Sequence, residues 1–341
     1  EEIITYSYLP PSWHGNYENE NNMEYNPIIR FNNSPLETSK IPKKIHKCFT
    51  NSSKDFLPKE ILDNAINTWK QYYPDYELVI YDSNDIEKYI LTHYGEDWLT
   101  IYNSLIPHAF KCDMFRVLIL YNEGGIYSDL KQSISKRIID FDDYNFVYVI
   151  ERHVDWKKIL NIDFDSIQNC FIACPPKHPY IKGYIDIMIQ NIINTRYGLC
   201  CTDITGPYVY GKVIHNIRKL WKFRNEKHEL QLMFYFDENL NKHVITNKNQ
   251  TEILMNHKYD SSPGAVWKYD NFPTNNYATC WAENNAINID CLNLIRSKVK
   301  FLQFYSWHKI KECKEVNIEE IITHSYLPPS CHGNYKNENN M

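Results

Sequence analysis

The chain has 341 residues, 43% hydrophobic and 15% aromatic, so it is long enough to bury a large core in one or two domains. Lys and Arg total 37 against 42 Asp and Glu, and no basic block occurs, which excludes the usual electrostatic footprint of a nucleic-acid or anionic-membrane binder. The longest apolar runs, Val117 to Tyr121 and Phe146 to Ile150, are far shorter than the roughly 18 residues of a membrane-spanning helix, so no membrane insertion is expected.

The cysteines favour a reducing compartment. Ten of them are scattered along the chain without a CxxC pair, and HExxH is absent, so neither a structural zinc site nor a disulfide framework is expected. We therefore predict a cytoplasmic location, or a cytosol-like compartment of a virus or its host cell. The opening EEIITYSYLPP does not read as a signal peptide, but sequons at Asn32, Asn51 and Asn249 keep a secretory lumen as the alternative.

The two ends of the chain carry the same segment. EEIITYSYLPPSWHGNYENENNM, residues 1–23, returns as EEIITHSYLPPSCHGNYKNENNM, residues 319–341, with differences only at positions 6, 13 and 18 of the first copy. This predicts a longer polypeptide with whole domains in tandem, although a duplicated tail without consequence is the alternative. We expect residues 1–40 to be a linker, 41–315 the domain, and 316–341 the second copy of the junction.

In chain order, the domain begins with a strand, a helix and a strand at 45–49, 58–73 and 76–81, which is the pattern of a parallel crossover. Helical periodicity follows at 84–93, 97–105 and, most strongly, 107–122. Short strands are predicted at 126–130, 145–150 and 169–173, and helices at 179–193 and after Gly206 and Pro207. The alternation predicts an α/β/α sandwich.

Polar side chains recur on one side of the helix predicted at 107–122. Ala109, Asp113 and Arg116 share a face, because steps of three and four residues return to the same side. An ordinary surface ion pair between Asp113 and Arg116 would explain this face equally well. The helix leads through a double glycine into a strand that carries Asp129, however, so we expect these three charged groups at the carboxyl end of the sheet, where open α/β sheets bind ligands.

The strand after the double glycine has one polar face. In GIYSDLK, Tyr127, Asp129 and Lys131 are predicted to point one way, because side chains alternate along a strand. The intervening residues point the other way and are expected to pack.

The region AFKCDMFRVLILYNEGGIYSDLK, residues 109–131, resembles the sugar-binding region of the Asp-x-Asp glycosyltransferases, which include yeast Golgi initiating mannosyltransferases and, more distantly, the clostridial glucosylating toxins. Their pattern is Ala-x-x-Ser-Asp-x-x-Arg followed by Gly-Gly-x-Tyr-x-Asp-x-Asp. Cys112 replaces the serine and Lys131 the second acid. Weaker likenesses occur in IPKKIHKCF, NTWKQYYPDYELVIYD, FIACPPKHPY and TGPYVYG. The positions that match the central pattern are Ala109, Asp113, Arg116, Gly124, Gly125, Tyr127 and Asp129.

The resemblance implies a GT-A-like, Rossmann-type sandwich with a mixed, mainly parallel sheet. It implies retaining transfer of a hexose-type sugar from a nucleoside diphosphate donor to a glycan or protein acceptor. The resemblance implies that Asp113 and Arg116 hold the sugar. It implies that Asp129 is a catalytic residue that binds the ribose or the sugar, and that it is the metal ligand if a metal is bound. The other donor-binding candidates are Ala109, Tyr127, His46 and Trp69, of which Trp69 is equally a core residue.

Lys131 argues against a metal. At about 4 Å and an effective dielectric near 20, an ammonium repels a divalent cation by roughly 8 kcal/mol. The same ammonium can instead meet the diphosphate and stabilise the leaving group, so we expect Lys131 to be catalytic and no cofactor to be required. Mn or Mg remains the alternative, as does an ion pair between Lys131 and Asp129 that closes an inactive site.

Relatives also place a histidine before a Ser-Trp pair near the end of the domain. FLQFYSWHK supplies Ser306 and Trp307 without the histidine, and YATCWAE supplies Trp281. Either tryptophan is a candidate phosphate contact, and both are equally core candidates.

Complete motifs of other enzyme classes are absent: Gly-x-Ser-x-Gly and Gly-x-Gly-x-x-Gly do not occur, and GPYVYGK at 206–212 is followed by Val213 instead of the Ser or Thr that completes a phosphate-binding loop. The alternative function is a non-catalytic carbohydrate-binding or structural module of a tandem-repeat protein.

Overall fold

The computed structural model describes residues 40–50, 59–151, 163–198, 200–221, 228–240, 242–260, 277–293 and 295. Both copies of the repeated segment and the pair Ser306 and Trp307 lie outside these ranges, so the tandem arrangement and the domain limits stay predictions. No helix in the described ranges is both long enough and apolar enough to cross a bilayer.

Up to residue 221 the described elements alternate as the sequence predicts, apart from an additional two-residue strand at 133–134. The strands are β1 (Lys44–Cys48), β2 (Glu77–Tyr81), β3 (Gly125–Ser128), β4 (Ser133–Ile134), β5 (Phe146–Glu151), β6 (Ile167–Cys174), β7 (Glu229–Asp237), β8 (Lys242–Thr246) and β9 (Ile253–Asp260). The helices are α1 (Lys59–Tyr72), α2 (Ser83–Tyr94), α3 (Glu96–Ser104), α4 (His108–Glu123), α5 (Pro179–Ile193), α6 (Pro207–Trp221) and α7 (Tyr277–Ala282).

The strands form one sheet in the order β2-β1-β3-β6-β5-β7-β8-β9-β4. β1 is parallel to β2 and β3, and β5 is parallel to β7, whereas the other described pairings are antiparallel. The sheet is mixed, as predicted, but less parallel than expected. The reason is that β6 runs against both its neighbours and β7 to β9 are joined by short turns, which only antiparallel strands allow.

Helices cover both faces of the sheet, so the predicted α/β/α layering is confirmed. On one face, side chains of α2 to α6 form the larger core with inward residues of the strands. On the other face, Trp69 of α1 and Tyr73, which follows that helix, pack with Ile126, Phe171 and Phe234. The strands predicted at 45–49, 76–81, 145–150 and 169–173 and the helices predicted up to 193 match the structure to within about three residues.

The junction between α4 and β3 depends on Gly124 and Gly125. Both have positive φ, +67° and +95°, which L side chains rarely adopt. A Cβ on Gly125 would lie 2.6 Å from the carbonyl oxygen of Lys44 in β1, and one on Gly124 would lie 2.5 Å from the nitrogen of Pro176. The two glycines therefore let the chain reverse sharply and let β3 approach β1.

We expect Gly125→Ala to destabilise the fold more than Gly95→Ala. Gly95 also has positive φ (+89°), but a Cβ there meets no atom within 4 Å. Gly95→Ala should therefore cost about 1–3 kcal/mol in backbone strain alone, and Gly125→Ala about 1–3 kcal/mol more because of the clash. Denaturant unfolding of the two variants measures the difference, and equal losses would contradict this account of the junction.

Candidate active site

The lengths of α4 and β3 bring two acids to the same level. From Asp113 to Glu123 the helix advances about 15 Å, and from Gly125 to Asp129 the chain returns about 13 Å along β3. Asp129 follows the last residue of β3, and β1 runs parallel to β3, so Asp129 lies at the carboxyl edge of these strands. This is the edge at which the sequence predicts a ligand site.

One guanidinium lies between the two acids. Arg116 Nη2 is 3.0 Å from Asp113 Oδ1 and 3.5 Å from Asp129 Oδ1. Its Nη1 donates to the Asn169 carbonyl at 2.6 Å, and its guanidinium carbon lies 4.7 Å from the centre of the Tyr127 ring. The Arg116 side chain is 6% exposed, against 11% for Asp113 and 20% for Asp129. With both acids ionised, these three side chains together carry one excess negative charge, which the nearby Lys47 and Lys131 offset.

The carboxylate of Asp113 is held from β6 and from the start of α6. Asn169 Nδ2 donates to its Oδ1 at 2.9 Å, and Thr205 Oγ1 donates to its Oδ2 at 2.8 Å. Tyr184 on α5 accepts from Asn169 and donates to the Thr205 carbonyl, which ties these groups together. Sequence reasoning placed Thr205 in a family-like Thr-Gly-Pro element without this role, and it assigned no role to Asn169.

The ionisation of the three groups follows from burial and charge. Burial raises the pKa of Asp113 to about 6, although Arg116, Thr205 and Asn169 oppose the shift. Burial also raises the pKa of Asp129, against the lowering effects of Arg116 first and then of Tyr127, Lys47 and Lys131. Burial works to lower the pKa of Arg116, but Tyr127 and the two acids outweigh it and raise that pKa, so the guanidinium stays protonated. Two acids thus share one permanent cation.

Lys131 does not lie on the strand face that alternation predicts, because β3 ends at Ser128. A turn follows, in which the Gln132 amide donates to the Asp129 carbonyl at 3.0 Å and the Asp129 amide donates to the Cys170 carbonyl of β6 at 2.9 Å. Lys131 is half-buried in this turn, and its charge opposes part of the rise that burial causes in the pKa of Asp129. The acid and the lysine are therefore neighbours, though through a turn.

His46 and Trp69 lie in the core, fully buried. The ring nitrogens of His46 lie 3.2 Å from the Tyr81 hydroxyl and 3.0 Å from the Gly124 carbonyl, and burial lowers its pKa to about 4. Trp69 Nε1 donates to the Gln132 carbonyl at 3.1 Å. Both side chains contact backbone carbonyls next to the site, and none of the described contacts joins either of them to Asp113, Arg116 or Asp129.

The remaining candidates are dispersed. Ala109 is exposed in the first turn of α4, one helical turn before Asp113. Trp281 on α7 is half-buried and donates to the Tyr197 carbonyl at 2.7 Å. Among the predicted residues within the described ranges, the structure thus brings together Asp113, Arg116, Tyr127 and Asp129, with Lys131 beside them.

The residues present fit a metal ion poorly. Asp129 already faces Arg116 at 3.5 Å, and its next but one neighbour is the cationic Lys131. A divalent ion at Asp129 would meet both positive charges. Within the part of the chain that the structure describes, no three His, Cys, Asp or Glu residues cluster as metal ligands.

Comparison with known proteins confirms the resemblance. Residues 59–147 match the family described as "Glycosyltransferase sugar-binding region containing DXD motif". Inositol phosphoceramide mannosyltransferase 1 of Schizosaccharomyces pombe is 24% identical over 169 residues, which cover 48% of this chain and 47% of the relative. Inositol phosphoceramide mannosyltransferase 3 of the same organism is 34% identical over 95 residues, which cover 28% of this chain and 25% of the relative. Uncharacterized glycosyltransferase L373 of Acanthamoeba polyphaga mimivirus is 26% identical over 139 residues, which cover 41% of this chain and 52% of the relative. The chain thus spans about half or less of the length of these relatives.

Among solved structures, the PaToxG glycosyltransferase aligns with a TM-score of 0.40 at 20% identity, covering 52% of this chain and 70% of that one. The UDP-bound glycosyltransferase domain from the YGT toxin aligns with a TM-score of 0.38 at 10% identity, covering 86% and 99%. The match of residues 59–147 contains Asp113, Arg116 and Asp129, and it supports sugar transfer as the class of activity.

The raised pKa of Asp113 predicts a pH-dependent stability difference. Its folded value, about 6, exceeds its ordinary value of 3.8, so Asp113 favours the fold below pH 3.8, and this contribution is lost as pH rises through 6. The free energy of unfolding of Asp113→Asn, relative to the wild type, should therefore rise by about 2 kcal/mol between pH 4 and pH 7. Urea unfolding across this range measures it, and a flat or falling difference would contradict the shift.

Proposed function

We propose that this protein is a retaining glycosyltransferase that moves a hexose-type sugar from a nucleoside diphosphate donor to a glycan or protein acceptor. The observation that carries the proposal is the buried arrangement of Asp113, Arg116 and Asp129, which lies within the matched sugar-binding region. The names of the relatives support sugar transfer as the reaction, and the finer assignments rest on the chemistry of this chain's residues.

The charge pattern suits a polyhydroxylated ligand. Sugar hydroxyls donate to carboxylates, and the carboxylate oxygens of Asp129 have more acceptor sites than its contact with Arg116 uses. Asp129 is the most exposed of the three side chains, so it is placed to meet the donor directly. Asp113 is tied by Asn169 and Thr205, so its role is to present a fixed carboxylate edge and to orient Arg116.

The departing nucleoside diphosphate needs positive charge as the bond to the sugar breaks. We assign this task to Lys131, which follows Asp129 by two residues in the same turn. A charge-assisted hydrogen bond from an ammonium to a phosphate oxygen contributes roughly 1.5–3 kcal/mol, and a donor aimed at the developing charge acts on the transition state. The enzyme would then be metal-independent or only weakly responsive to Mn or Mg.

A panel of nucleoside diphosphate sugars tests the proposal, with donor hydrolysis and transfer as readouts. We expect turnover of at least one hexose donor with retained anomeric configuration by NMR. Asp129→Asn and Asp113→Asn should each lower kcat/KM by about 10²-fold or more. Asp142→Asn, which changes an exposed acid outside the site, is the matched control.

Two results would defeat the proposal. One is an absence of turnover and of donor binding across the panel. The other is sugar binding that is indifferent to both the nucleotide and Asp129→Asn, which would favour the alternative of a non-catalytic carbohydrate-binding module.

Lys131 makes a separate prediction about metal use. Wild-type activity should survive chelation, and Lys131→Ala should lower kcat by about 10-fold or more because the leaving group loses a charge-assisted hydrogen bond. Lys131→Asp replaces the cation by a second acid of an Asp-x-Asp pair, and its residual activity should require Mn²⁺ or Mg²⁺. Rates with EDTA and with added metal measure both effects. Abolition of wild-type activity by EDTA would show that the metal-dependent alternative is correct.

A further inference from the structure

A buried cation lies beneath the turn that carries Asp129 and Lys131. Lys47, on β1, is fully buried. Its ammonium donates to Ser128 Oγ at 3.0 Å, to the Asp129 carbonyl at 2.9 Å and to the Gln132 carbonyl at 3.2 Å. All three acceptors belong to residues 128–132, which we call the donor turn.

The chemistry of Lys47 matches this turn closely. A lysine ammonium has three donors and no acceptor, and here each donor has an oxygen of the donor turn within hydrogen-bonding distance. The ammonium also lies 5.4 Å from the centre of the Trp69 ring, which adds a cation–π contact. Burial lowers the pKa of Lys47 to about 7, with Asp129 and then Cys48 opposing the shift. A buried charge requires hydrogen-bonding partners, and three oxygens of the donor turn supply them here.

The donor turn is held from the same side by further groups. Gln132 Oε1 accepts from Ser128 Oγ at 2.9 Å and from the Asp129 amide at 3.2 Å. Trp69 donates to the Gln132 carbonyl, and Gln132 Nε2 lies 3.0 Å from His257 Nδ1 on β9. Because these contacts involve the backbone of the turn and the side chain of Gln132, the carboxylate of Asp129 is left to face Arg116 on α4.

We propose that Lys47 is a positioning residue that fixes the backbone of the donor turn and so sets where Asp129 and Lys131 meet the nucleotide sugar. The consequence for catalysis rests on the proposed function. The clamp on the turn does not, because it is a property of the folded chain alone. A displacement of reacting groups by about 1 Å lowers rates by as much as 10²-fold, so a loosened turn should be visible in turnover.

The test compares Lys47→Met, Lys47→Arg and the control Lys44→Met. Lys44 lies on the same strand, but its ammonium pairs with Glu123 at 2.7 Å and Glu77 at 3.8 Å and makes no described contact with the donor turn. Hydrogen–deuterium exchange of peptides that cover residues 126–134 reports the clamp directly. Donor KM and kcat report its effect on turnover.

We expect Lys47→Met to speed amide exchange in the donor turn by about 10-fold or more while exchange in α5 and β5 is unchanged. It should lower kcat/KM by about 10²-fold. Lys47→Arg, which restores a cation with several donors, should recover part of both losses, and Lys44→Met should change neither.

Two outcomes would overturn the inference: unchanged exchange in the donor turn of folded Lys47→Met, or an equal loss of protection throughout the sheet, which is the sign of a purely structural lysine. If Lys47→Met does not fold, Lys47→Gln decides the matter, because it keeps a polar donor at this position but removes the charge and shortens the side chain. Exchange in the donor turn should then rise selectively, and no rise would reject the clamp. If the wild type turns over no donor, the proposed function fails, and the exchange experiment still judges Lys47.

Discussion

The site depends on one buried guanidinium that lies between two carboxylates. Arg116 faces Asp113 and Asp129 and also donates to the backbone of β6. A buried charge is tolerated only when it is paired and hydrogen-bonded, so Arg116 forces α4, the end of β3 and β6 into one fixed arrangement. The same pairing leaves Arg116 shared between two carboxylates. Carboxylate oxygens that Arg116 does not fill can accept hydrogen bonds from a ligand that supplies hydroxyl donors.

The backbone at the α4–β3 junction makes this arrangement possible. Gly124 and Gly125 adopt conformations that other residues avoid, and β3 therefore starts within close contact of β1. Three turns of helix on one side and one short strand on the other then bring Asp113 and Asp129 to the same height. The family-like spacing between the two acids thus reflects the lengths of a helix and a strand joined by a sharp reversal.

Two lysines, one on β1 and one within the donor turn, have different tasks. Lys47 is buried, and its ammonium is used by three oxygens of the turn. Lys131 is half-buried within the turn, beside Asp129. In the proposed enzyme the first cation holds the backbone and the second meets the phosphates. A site that replaces a metal-binding acid by a lysine needs such support, because a flexible ammonium is positioned less strictly than an ion held by several ligands.

The sequence by itself determined the order of the elements through α6, apart from the two-residue strand β4, and the pairing of Asp113 with Arg116, because helix and strand periodicity are local. It also indicated Asp129 at the carboxyl edge. Strands β7 to β9 were not predicted, although the run ELQLMFYFD carried a strand signal. Lys47 was also missed, although a lysine in a strand buried on both faces must find partners.

Only the tertiary structure decided that β3 ends at Ser128 and that Asn169, Thr205, Lys47 and His257 complete the site. These contacts join residues far apart in the chain: 81 positions separate Lys47 from Ser128, 92 separate Asp113 from Thr205, and 125 separate Gln132 from His257. Local patterns carry no information about such partners, since the partners are brought together only when the sheet has assembled and its two faces are covered.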